Sequence, residues 1–95
     1  MVEERLIEAK EILAESIESE KKAFIARAWE LQAQIDGVEA LLAEETDIGR
    51  RMDLGIKRGK LRAELQDVED KADSAAYAAD SLRRKIEVMK LDRRS

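Results

Sequence analysis

The sequence predicts an all-α chain: one long antiparallel two-helix hairpin, coiled-coil-like, that dimerises into a four-helix bundle. Three observations predict it. The 95 residues contain no proline, three aromatics and 42% charged side chains, and most of the common residues are good helix formers. Two long stretches place apolar residues three or four apart. Only one place between them carries the residues of a chain reversal.

The first helix is expected over about residues 2–45. Its stripe reads Leu6, Ala9, Leu13, Ile17, Glu20, Phe24, Ala28, Leu31, Ile35, Val38 and Leu42. The mean step is about 3.6, the period of a straight amphipathic helix. Glu20 alone interrupts it, which reads as a snorkelling or register-setting residue. A second apolar row, Ile7, Ala14, Ile25, Trp29 and Ala43, lies about 100° around the helix. Gly37 marks a possible kink or break.

The turn is expected at about residues 46–50, within Glu44–Arg51. Thr46 or Asp47 can cap the following helix. Gly49 can take the left-handed conformation that a reversal needs.

The second helix is expected over about residues 51–93. Leu54, Arg58, Leu61, Leu65, Val68, Ala72, Ala75, Ala79, Leu82, Ile86 and Met89 alternate steps of four and three, a heptad seam. Arg58 is its polar intruder. Gly55 and Gly59 weaken its first turns. Folding at residue 48 brings together positions whose numbers add to about 96: Leu42 with Leu54, Ile35 with Leu61, Phe24 with Ala72, Ile17 with Ala79. Leu13 falls near Leu82 and Leu6 near Met89. Large residues then face small ones, as interdigitating layers require. Gly37 and Gly59 also add to 96, which predicts a close backbone approach.

Charge favours the same pairing. Residues 1–48 hold 13 acidic and 5 basic side chains, net −8, and residues 49–95 hold 9 and 13, net +4. A lone hairpin buries little, and such chains commonly associate. The alanine tract Ala75, Ala76, Ala78 and Ala79 is the expected self-interface, where small side chains admit a second hairpin.

Little in the chain supports chemistry. Without cysteine or histidine there is no thiolate, no usual general base and no imidazole, the commonest metal ligand. The five serines have no base to activate them. Gly55–Lys60, "GIKRGK", lacks the spacing of a phosphate-binding loop and is followed by Leu61. Glu11, Glu15 and Glu18 share a helix face that reads as a wet surface. The expectation is a non-enzyme with no cofactor, no metal and no small-molecule substrate. The acidic start and the lack of a long apolar run predict a cytoplasmic chain without membrane contact.

What remains is docking. The expected partners are a second copy and another protein, which Ile7, Ile25 and Trp29 on the first helix and Ile48, Met52 and Ile56 at the tip would meet. That reading makes the chain an adaptor, assembly chaperone or small inhibitor, in keeping with accessory and phage-type genes by analogy alone. The alternative is a nucleic-acid or transcription accessory protein. It would use basic clusters at the tip (Arg50, Arg51, Lys57, Arg58) and near the C-terminus (Arg83, Arg84, continuing to Arg94). Against it stand a pI of about 5.0 and the absence of interleaved aromatics. A third class is a self-assembling structural component.

Overall fold

Two helices account for the chain: α1, Val2–Glu44, and α2, Ile48–Arg94. The structure is a computed structural model that describes Val2–Arg94, with side chains through Asp92. Of the C-terminal basic run, Arg93 and Arg94 lie outside the described side chains. The two helices form the expected helical hairpin.

The turn is shorter than the sequence suggests. It comprises Glu45–Asp47, and α2 begins at Ile48. Asp47 is the N-cap: its Oδ1 accepts the Arg50 backbone N–H at 3.0 Å, and its carbonyl accepts the Arg51 N–H at 2.9 Å. Gly49 therefore sits in the first turn of α2, and no described residue has a positive φ. Nor does α1 break at Gly37. A Cβ built at Gly37 or Gly59 meets nothing within 4 Å, so the helices make no close backbone approach there.

The end of α1 poses an electrostatic problem. Its last turn has no basic residue, although a helix C-terminus favours positive charge and leaves carbonyls unpaired. Arg51 resolves both. Its Nη1 donates to the Leu42 carbonyl at 2.6 Å and to the Glu45 carbonyl at 2.9 Å. One side chain from α2 thus caps α1.

Packing divides the chain into two units. The turn-proximal unit, Phe24–Asp70, holds the stronger core. Leu31, Ile35, Val38, Leu61 and Val68 are buried, and Phe24, Ala28, Leu42, Leu54 and Leu65 pack against them. Fully burying one such aliphatic side chain contributes about 1.5–3 kcal/mol. Arg27 bonds Glu64 at 2.8 Å, and Arg62 bonds Glu39 at 2.6 Å.

The terminal unit, Met1–Ala23 with Lys71–Ser95, is built more thinly. Ile7, Ala14 and Ile86 are buried, with Leu82 and Met89 against them. The seam here does not follow the expected stripe. Ile7 and Ala14 are 6% and 4% exposed, whereas Leu6 and Leu13 are 47% and 52% exposed. Glu20 is exposed too, and Lys21 is half-buried in its place.

The cause is the repeat. A straight helix drifts by about 20° per heptad from a strict seven-residue pattern. Counted in sevens from Leu42, the seam runs Ile35, Ala28, Lys21, Ala14 and Ile7. With Ile7 at position a, every a of α1 pairs with a d of α2, and each pair adds to 96: Ile7 with Met89, Ala14 with Leu82, Ile35 with Leu61. The expected partners Leu13 and Leu6 gave 95. The ion pairs obey the same geometry. Glu39–Arg62 joins e to e and Arg27–Glu64 joins g to g in the turn-proximal unit. Glu11–Lys90 and Glu18–Arg83 join e to e in the terminal unit. Antiparallel helices bring those positions side by side.

Candidate docking surface

The side chains singled out for docking fall into distinct environments. Ile7 is core and is unavailable to a partner. It joins the a positions because the heptad phase, not the 3.6-residue period, governs α1. Ile25 and Trp29 remain outside, with Trp29 74% exposed. They sit four apart on α1, hence on one helix face. Ile48, Met52 and Ile56 are exposed as well and repeat every four residues on α2.

Both groups belong to the turn-proximal unit and to one of its faces, the one bridged by Glu39 and Arg62. Ile25 and Ile48 occupy e positions, and Trp29 and Met52 occupy b. Along the helix axes the Trp29 and Met52 levels are roughly 20–25 Å apart at 1.5 Å per residue. Polar groups lie between them: Gln32 donates to Asp36 at 2.9 Å, and Arg62 holds Glu39. The face is therefore polar in the middle with an apolar anchor at each end.

Gly55 and Gly59 lie on this same face, at e and b. Both are inside α2, where each costs about 1 kcal/mol relative to alanine. A Cβ at either meets nothing within 4 Å, so the hairpin itself does not require them. They leave an open trough of bare backbone beside Met52 and Ile56. "GIKRGK" is thus helix and forms no phosphate-binding loop.

The alanine tract divides in two. Ala75 and Ala79 are buried on the hairpin seam, across from Lys21 and Ile17 by register, and cannot meet a second copy. Ala76 is half-buried and Ala78 exposed.

The basic residues are partly engaged already. Arg51 caps α1. Arg58 is half-buried at an a position, across from Val38. Arg83 pairs with Glu18. Arg50, Lys57 and Arg84 are exposed. The hydrogen bonds that Arg27 donates to Glu64 first, then to Glu30, hold its guanidinium above its ordinary pKa. Among the described residues, no three acidic side chains gather as a metal site, and no helix is long and apolar enough to cross a membrane.

Compared with family models, curated proteins and solved structures, the chain matches none.

Proposed function

We propose that the protein is a non-catalytic docking module of the cytoplasm, an adaptor, assembly chaperone or small inhibitor that presents one face of its turn-proximal unit to a larger protein. Self-association of the hairpin into a four-helix bundle is part of the same reading. The observation that carries the docking role is the exposure of Trp29 beside Ile25, on the face that also carries Ile48, Met52 and the Gly55–Gly59 trough. A tryptophan left in water keeps a large apolar surface that a protein interface can cover, and tryptophan is enriched among the residues that dominate binding. The trough supplies the second half of the argument. Two glycines that weaken their own helix make sense where an incoming backbone approaches closely.

The basic residues support a nucleic-acid role less well, since Arg51 and Arg83 already bond within the hairpin and helix α1 lays acid alongside.

The test is a pull-down from native extract with wild type, Trp29→Ala and Gly59→Ala as baits. A partner held by wild type, lost with Trp29→Ala and weakened by Gly59→Ala fits the proposal. A partner retained by both variants rejects the face. Nuclease-sensitive, salt-labile capture that ignores Trp29 would support the nucleic-acid reading instead.

A further inference from the structure

The two faces of the terminal unit differ sharply. One carries Glu4, Glu8, Glu11, Glu15 and Glu18 at b and e, with Lys90 and Arg83 paired to two of them. A second copy brought against it would meet like charge. The other face presents the c and g positions. Leu6, Ala9 and Leu13 of α1 and Ala78 and Val88 of α2 are exposed there, with Ser16, Ser74 and Ser81 among them and charge only at Glu20, Lys71, Lys85 and Asp92.

We infer that this c/g face is where a second copy of the chain docks, antiparallel to the first. This places the self-association of the proposed function on named residues and rests on that reading. Three observations carry it. The first is area. The chain exposes 7379 Å², whereas a compact protein of its 10.8 kDa exposes about 5,500 Å². The surplus exceeds the roughly 800 Å² per partner that a stable interface of standard size buries. The second is the thin seam beneath. Lys10, Ala14, Lys21, Ala75 and Ala79 occupy core positions of the terminal unit, so its own helix pair buries few large side chains.

The third is complementarity. Two hollows open on this face. One, about 260 Å³, is lined by Glu3, Leu6, Ile7, Met89 and Asp92. The other, about 340 Å³, is lined by Lys10, Arg84, Lys85, Val88 and Met89. Leu13 stands out of the same face, and Ala78 is the exposed alanine nearest its level on the neighbouring helix. About ten residues up α1 from Lys10, on the same face, lies exposed Glu20. An antiparallel copy rotated about a level midway between Leu13 and Ala78 sets each Glu20 at the basic hollow of the other and each Leu13 against the other's Ala78. Large meets small at the centre, and acid meets base at both ends.

The experiment is absolute mass by light scattering from about 1 to about 100 μM, a range over which mass action shifts a dimer of ordinary affinity. Wild type should run at twice the chain mass. Leu13→Glu and Ala78→Glu should run as monomers with unchanged helicity by circular dichroism. Both sites are exposed in the single hairpin, so two variants guard against one misfolding. Glu20→Lys and Lys85→Glu should each weaken the dimer by about tenfold, and the double exchange should recover most of the loss, as reciprocal partners do. A monomeric wild type overturns the dimer. A dimer indifferent to Leu13→Glu and Ala78→Glu overturns this face while leaving Trp29 docking intact. A double exchange that recovers nothing overturns the antiparallel seating.

Discussion

Asp47 and Arg51 show how much a three-residue turn asks of single side chains. Each supplies what a helix end lacks: Asp47 an acceptor for the N–H groups of α2, Arg51 donors for the carbonyls of α1. Asp47→Ala should lower stability by about 1 kcal/mol in chemical denaturation, while Asp47→Asn keeps most of it, since asparagine caps equally well. An equal loss for both would mean that the Asp47 charge matters more than its hydrogen bond. Arg51→Ala exposes two carbonyls at once and should also destabilise, by about 0.5–1.5 kcal/mol per net hydrogen bond lost. The cap was legible as Thr46 or Asp47 from residue type and position, and the hydrogen bond to Arg50 picks out Asp47. The role of Arg51 was not, because it acts backwards across the turn and nothing in its own helix asks for it. The glycines run the other way. Gly37 occupies an open helical site, so Gly37→Ala should stabilise the chain by about 0.5–1 kcal/mol. Thermal unfolding would show it, and a fall in Tm would reveal a contact that the open site does not suggest.

At the scale of the helix, the lesson is periodicity. The α2 seam could be read position by position, because its steps alternate four and three without exception. For α1 the same reading held from Phe24 to Leu42 and at Ile17, and failed at Leu6, Ala9, Leu13 and Glu20. There the apolar residues run in two adjacent rows, Leu6–Leu13 and Ile7–Ala14. Periodicity alone favoured the longer side chains. The partner helix decides otherwise, since only the second row keeps phase with Leu82 and Met89. This has a direct test. Ile7→Ala should cost about 2–5 kcal/mol, as buried aliphatic truncations do. Leu6→Ala, one residue away, should change the stability of the single hairpin by about 0.5 kcal/mol or less. The reverse order would restore the 3.6-residue stripe. The ion pairs flanking the seam, about half exposed, contribute about 0–1 kcal/mol each. Their value lies in orientation, since e with e and g with g is a pattern that parallel helices do not make.

Across the whole molecule, the two units should not be equally stable. The turn-proximal core is built of leucine, isoleucine and valine, and the terminal one leans on alanine and half-buried lysine. Hydrogen exchange should find the slowest amides around Ile35 and Leu61. Amides around Ala14 and Ala79 should exchange sooner in dilute solution, and their protection should rise with protein concentration as copies associate. Uniform protection at every concentration would contradict both the weaker seam and the self-docking face. Exposed Trp29 reports separately. Its emission should be that of a solvated indole and shift to the blue only when an outside partner covers it.

The constant sum of 96 also limits how such a hairpin can vary in length. Inserting one residue into α1 would rotate everything on one side of it by 100° and turn leucines outward along that arm. A deletion would do the same in the opposite sense. Only changes of seven residues, made in both arms at matching levels, preserve the phase. Length variants of this chain that still fold should therefore differ by fourteen residues or its multiples, unless the change falls at a frayed end.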